Sequence, residues 1–349
     1  MTLPRLELAS PVKGRVLALD ELKGLAILMI AVLYHAAGVL SMNDVVHGEV
    51  GVDMFVILSG IGLALGSQDG STGRYLVRRL MRIYPAYWVV LTACVVAGVT
   101  LNHQSYSAWD VILHYTGMHV WFGDAHAMSI NDSFWFITLI VSLYLVYAPL
   151  RKFADRPDII LFAGAVMSFT CASIYLHYGQ SACFGHFSLR MPGFFVGLVI
   201  GRLMRTGSLE IRPTPYLGAA GLLIFYIPYV MSYIFTSPWI GCGVIAGYAF
   251  LLRQHTPEAV RKVLRFLGDH SLEIFLIHQP LIREYNVWVI GHYFPHAGVT
   301  TTSLTLGMAV GLAVTIAVSV PLHALMKRVA TLGSAPRAAA RPDPTQDCP

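Results

Sequence analysis

The chain has 349 residues, 56% of them hydrophobic and 12% charged, with a formal net charge of +5. Soluble domains carry about 25% charged residues, so this composition excludes an ordinary soluble protein and predicts an integral membrane protein. The basic surplus does not point to nucleic acid, because the lysines and arginines sit in short connections between apolar runs, where they set topology.

Ten apolar runs follow one another, at roughly 24–41, 50–66, 84–101, 134–150, 159–176, 191–204, 216–235, 238–252, 271–290 and 302–325. The expected fold is therefore all-α and polytopic, with about ten transmembrane helices. Thr2 to Glu21 is polar and no short apolar core with a cleavage site precedes the first run, so that run is expected to stay. The chain divides into a cytoplasmic arm at 1–20, a membrane domain at 21–330 and a disordered tail at 331–349, rich in Ala, Pro and Arg. Of the 24 lysines and arginines, all but Lys23, Arg190 and Arg283 fall in the arm, the tail or alternate connections. The positive-inside rule then places both termini in the cytoplasm.

The first run carries an ionisable residue at each end. Lys23 opens it and His35 interrupts it, roughly 18 Å further along a helix. An ionisable group inside a span is by default a functional candidate, and the plain alternative is a hydrogen-bonded core histidine. The second run holds Asp53 in GVDMFVILSG, at a depth similar to His35, where a carboxylate can orient an imidazole. Before the third run, RYLVRRLMRIYPAYW sets Arg78, Arg79 and Arg82 on adjoining turns. Such a cluster can grip phosphates, although topology alone also asks for cations there.

The 100–133 connection is the longest on the opposite side and the candidate lid or groove wall. Histidines, tryptophans and tyrosines on that side suit an interfacial belt or a groove for a sugar or lipid headgroup. Trp135, at the start of the fourth run, is open to the same two readings. The ninth run, SLEIFLIHQPLIREYN, contributes Glu273, His278 and Arg283. Five cysteines fit no zinc spacing, and neither a metal nor a permanently bound cofactor is expected.

Taken together, LDELKGLAILMIAVLYH, GVDMFVILSGIGLAL, RRLMRIYPAYW, FWFI and GDHSLEIFLIHQPL resemble, in order, the acyltransferase-3 family of integral membrane acyltransferases. The resemblance implies a ten-helix fold and transfer of an acyl group, usually acetyl from acetyl-CoA, to a glycan or lipid-linked glycan hydroxyl. It implies that His35, Asp53 and His278 carry the chemistry and that Lys23, Arg79 and Arg82 belong to the family's basic motif; these, with Arg78 of the same cluster, are the expected acyl-CoA-binding residues. Trp135, Glu273 and Arg283 would support the acceptor or the site. The expected partners are membrane lipid, acetyl-CoA, the glycan and polysaccharide-synthesis proteins, in the bacterial inner membrane. An exopolysaccharide or its lipid-linked repeat unit is the favoured acceptor.

Three features depart from the family's usual pattern. No serine-hydrolase-like soluble domain is fused within these residues, and Lys stands where the family usually has Arg. Eleven residues, not the family's ten, separate Lys23 from His35. On a regular helix that spacing turns His35 about 120° away from Lys23, unless a π-bulge restores the register. Two rival functions remain open on the sequence. A proton-coupled exporter or flippase of a glycan or lipid would use the same polar layer without consuming acetyl-CoA. A non-catalytic partner of a polysaccharide-synthesis complex would tolerate replacement of His35, Asp53 and Arg82.

Overall fold

The computed structural model describes residues 16–34, 50–66, 70–178, 182–206, 215–216, 237–281 and 301–333. Among them every regular element is helical. In chain order the principal helices are α1 (Leu17–Leu28), α2 (Val50–Leu65), α3 (Thr72–Thr100), α4 (Ala108–Thr116), α5 (Trp135–Leu150), α6 (Pro157–Tyr178), α7 (Ala182–Thr206), α8 (Ser237–Gly247) and α9 (Glu258–Asp269). Helix α10 is described over 271–281, and α11 spans Thr301–Gly333. Among the described residues, five helical stretches are long and apolar enough to cross a membrane: Thr72–Thr100, Asp132–Phe153, Pro157–His177, Phe187–Thr206 and Leu306–Ala330. Beyond Tyr216 the expected run at 216–235 lies outside the described residues, as do the later parts of 24–41 and 271–290, most of the 1–20 arm and the tail beyond 333.

Helix boundaries differ from the apolar runs where a charge is neutralised inside the protein. The run at 191–204 stops at Arg190, yet α7 begins at Ala182, because Arg190 is buried against Asp53 and the helix continues past it. Helix α3 likewise starts well before the run at 84–101. Ser71 caps it, accepting from the Arg74 amide at 3.4 Å, so the arginine cluster forms its first turns.

The centre of the bundle is α2 packed along α7, which packs in turn on α6. The α2–α7 crossing brings backbone against backbone: a Cβ at Gly197 would overlap the Ile57 carbonyl oxygen. Small residues allow this approach, and van der Waals contact drives helix association where lipid offers no hydrophobic gain. Helices α1 and α9 meet in the same way, with a Cβ at Gly24 overlapping the Leu264 carbonyl. Helix α9 is strongly amphipathic, in a stretch that the apolar runs left as a connection. Buried Glu21 locks the α1–α9 crossing, accepting from Arg265 at 2.8 Å, Arg253 at 2.7 Å and the Tyr248 hydroxyl at 3.2 Å.

Helix α1 passes into a widened, π-helical turn at Met29–Tyr34. An i→i+5 bond encloses one residue more than the i→i+4 bond of an α-helix. The turn therefore absorbs one extra residue between Lys23 and position 35, the register problem that the spacing poses. His35 itself lies outside the described residues.

The 101–134 connection folds back into the bundle and does not stand away from it. Helix α4, capped by Ser107 and ended by Gly117 at φ 68°, presents its last carbonyls to the middle of α3. The Tyr84 hydroxyl donates to Thr116 O at 2.5 Å, the Tyr87 hydroxyl to His114 O at 2.8 Å, and Trp88 Nε1 to Tyr115 O at 2.9 Å. Irregular backbone at this depth is tolerable when protein donors satisfy it in this manner. His114 and His119 stack face to face at 4.0 Å beside these contacts. Trp121 Nε1 donates to Ser142 Oγ of α5 at 2.9 Å. Nearer solvent, Asp110 takes hydrogen bonds from His126 and Ser107, which hold its carboxylate below the usual range.

Candidate active site

A cavity of about 140 Å³ opens between α1, α2, α3, α5 and α10. Lys23, Arg79 and Arg82 line it at one end, with Ser59, Tyr144 and Ser271; Phe55, Phe136 and Phe275 form apolar walls. The helices explain this gathering. Arg79 and Arg82 are three residues apart and so share a face of α3. Tyr75, one turn earlier, holds the Arg79 guanidinium over its ring at 5.9 Å. Lys23 is steadied by Asp20, with Nζ to Oδ1 at 3.4 Å. Arg78 does not line the cavity and is exposed. Of the four residues expected to bind acyl-CoA, the structure thus brings three to one cavity and leaves Arg78 outside.

The apolar wall leads to the other expected residues. Phe136 and Phe275 lie 4.9 Å apart between ring centroids, with Trp135 6.3 Å from Phe136 and His278 5.5 Å from Phe275. His278 is buried, and its Nδ1 lies 2.6 Å from the Phe275 carbonyl. A carbonyl only accepts, so Nδ1 carries a proton in this contact.

Asp53 is buried at the opposite end of α2 from the cavity's arginine side. Its neighbour among the described residues is Arg190 of α7, with Nε 3.7 Å from Oδ1 and side chains 4% and 1% exposed. The Arg190 guanidinium also covers Trp135 at 5.3 Å from the ring centroid. Asp53 and Arg190, both buried, and the half-buried Trp135 thus form one chain of contacts linking α2, α7 and α5. The pairing of Asp53 with His35 falls outside the described residues. Arg190 is not among the expected site residues, yet it carries a sequence signal: it is one of three cations that the topology does not explain.

Glu273 points away from the cavity. Its Oε1 meets His323 Nδ1 of α11 at 3.0 Å, and the His323 ring lies 4.4 Å from that of His270. It ties α10 to α11, a supporting position. Arg283 lies outside the described residues. Among the described residues, no group of three or more His, Cys, Asp or Glu side chains is placed to hold a metal ion.

A basic mouth on an apolar slot, with a buried histidine beyond it, suits an anionic ligand that carries a thin reactive arm. The acyltransferase domain family matches residues 16–324. The chain belongs to the acyltransferase-3 family. A protein of Acidianus two-tailed virus, named "Putative acetyltransferase ORF330", is 25% identical over 289 residues, covering 78% of this chain and 84% of that protein. No solved structure matches. The acyltransferase is thus a multi-pass membrane enzyme, and its match spans every element that lines the cavity.

Proposed function

We propose that this acyltransferase moves an acetyl group from cytoplasmic acetyl-CoA to a hydroxyl of a glycan, with an exopolysaccharide or its lipid-linked repeat unit as acceptor. The reading takes about ten spans with both termini cytoplasmic, in a bacterial inner membrane. The observation that carries it is the cavity in which Lys23, Arg79 and Arg82 surround the entrance to a phenylalanine-walled slot.

CoA is polyanionic at one end and carries its thioester at the end of a long narrow arm. Its phosphates suit the three cations, with charge-assisted hydrogen bonds from two guanidinium groups. The arm suits the slot between Phe55, Phe136 and Phe275, which directs the thioester towards His278. The acceptor oxygen attacks the thioester carbonyl carbon, the carbon–sulfur bond breaks, and the acetyl group passes to oxygen while CoA leaves as its thiolate. The hydroxyl proton passes by way of a histidine to that thiolate. His35, which follows the widened turn of α1, is assigned as the general base. His278 relays the same proton. Arg283 is assigned to the developing oxyanion. Asp53 with Arg190 holds the far end of α2 and Trp135 in place.

The test is the O-acetyl content of the host's surface glycans in a deletion strain. Wild-type protein restores it; His35→Ala, present in the membrane at equal level, does not. Full acetylation with His35→Ala overturns the assignment. A proton-coupled exporter would leave acetyl-CoA unconsumed and make transport sensitive to the proton gradient.

A further inference from the structure

A second cavity, of about 220 Å³, lies at the other end of α10. The last turns of α3, the 102–106 segment, the 128–132 segment and Gln279–Pro280 of α10 enclose it. Carboxamides dominate its polar lining. Asn102, Gln104, Asn131 and Gln279 are carboxamides, Tyr106 is a phenol and Asp132 is a carboxylate. Carboxamides both donate and accept, and a carboxylate accepts twice, as neighbouring hydroxyls on a ring require. A phosphate or uronate would meet the Asp132 charge. The Gln279 Oε1 is buried and accepts no hydrogen bond, so a donor is owed to it.

The walls are built structures. Gln104 N donates to Gly98 O at 2.9 Å, and the Tyr106 hydroxyl donates to Gln104 Oε1 at 2.5 Å. Tyr106 lies so close over Gly98 that a Cβ there would overlap the hydroxyl. His103, between them, takes φ 52°, a left-handed conformation rare outside glycine, which the folded-back segment imposes. Asn131 accepts from the Ser133 amide at 2.8 Å, which fixes the opposite wall.

Helix α10 joins the two cavities. Phe275 lines the basic one and Gln279 the polar one, four residues apart and so about 6 Å along the helix. His278 lies between them. We infer that the polar cavity is the acceptor subsite and takes one uncharged sugar ring, presenting its hydroxyl to the acyl group that arrives along the basic slot past His278. This rests on the glycan-acetylating function proposed above and adds the place and charge class of the acceptor unit.

The experiment follows CoA release from acetyl-CoA by the purified full chain in lipid nanodiscs, with methyl glucoside and methyl glucuronide as probe acceptors. Methyl glucoside is expected to raise CoA release and the glucuronide to raise it far less. Gln279→Leu and Gly98→Ala, the latter displacing Tyr106, are each expected to raise the KM for methyl glucoside roughly tenfold. The KM for acetyl-CoA is expected to stay within about twofold, which also shows that the variants are folded. If methyl glucoside works and neither variant changes its KM, or the glucuronide works equally well, this site assignment is wrong while the glycan function stands. If neither sugar raises CoA release by the wild type, the glycan function falls and the subsite with it.

Discussion

The Arg190 guanidinium sits 3.7 Å from the Asp53 carboxylate in a place where neither side chain reaches solvent. Removing one member of such a pair strands the other charge, at a cost of about 3–5 kcal/mol, whereas removing both costs far less. Arg190→Ala and Asp53→Ala are each expected to lower the melting temperature of the detergent-solubilised protein substantially. The double variant Asp53→Asn/Arg190→Gln is expected to recover most of that loss. If the double variant falls by the sum of the two singles, the residues do not act as a pair.

Gly62 lines the basic cavity, and a Cβ built on it meets nothing within 4 Å. Alanine there gains about 0.5–1 kcal/mol of helix preference over glycine and leaves the slot open. Gly62→Ala is expected to keep activity and slightly raise the melting temperature. Gly62→Leu, which fills the slot, is expected to lower kcat/KM for acetyl-CoA at least tenfold without loss of stability. Equal activity in the two variants would place the acyl arm elsewhere.

The α1–α9 crossing has no flexible atom to yield at Gly24, since the added Cβ would meet the Leu264 carbonyl. Gly24→Ala must separate the helices and disturb the Glu21 contacts to Arg253 and Arg265. A destabilisation of about 1–3 kcal/mol is expected from overpacking alone. It would be seen as a lower melting temperature, together with a raised KM for acetyl-CoA because Lys23 is adjacent. An unchanged melting temperature would contradict the crossing.

Burial pushes His114 and His119 below the ordinary imidazole value of 6.5, His119 to about 2. In the unfolded chain both rings take up a proton near pH 6.5, while in the folded protein they stay neutral. Between those values the unfolded state binds more protons, so stability rises with pH. Their contribution is complete above about pH 6.5 and is lost as pH falls below it, by up to about 1.4 kcal/mol per pH unit for His119. Asp110, with its carboxyl held low, adds its own loss only below about pH 4. Melting temperature is expected to fall from pH 6.5 to 5, less steeply in His119→Gln. An identical slope in that variant would show that the ring is not held neutral by the fold.

The parts legible in the sequence are those written in local spacing. Arg79 and Arg82 share a helix face by number alone, and the extra residue before His35 announced an irregular turn that the structure supplies at Met29–Tyr34. What spacing could not give is pairing across the bundle. Arg190 looked like the edge of a short apolar run until Asp53 was seen beside it, and Arg78 looked equivalent to Arg79 although it faces outward. The 101–134 segment read as a connection because the partners of its carbonyls, Tyr84, Tyr87 and Trp88, are distant in sequence. Helix α9 was hidden by its charges, although Leu264 and Leu267 pack it and Arg265 reaches buried Glu21 across the crossing.

The most direct test of the account is binding of labelled acetyl-CoA to the purified protein, compared among wild type, Arg78→Ala, Arg79→Ala and Arg82→Ala. A lost guanidinium–phosphate contact costs about 1.5–3 kcal/mol, or roughly ten- to a hundredfold in Kd. Arg79→Ala and Arg82→Ala are expected to weaken binding by that factor, and Arg78→Ala, off the cavity, by less than about threefold. Equal weakening by all three would mean that surface charge alone attracts the ligand, and no binding by wild type would contradict the acetyl-CoA site outright.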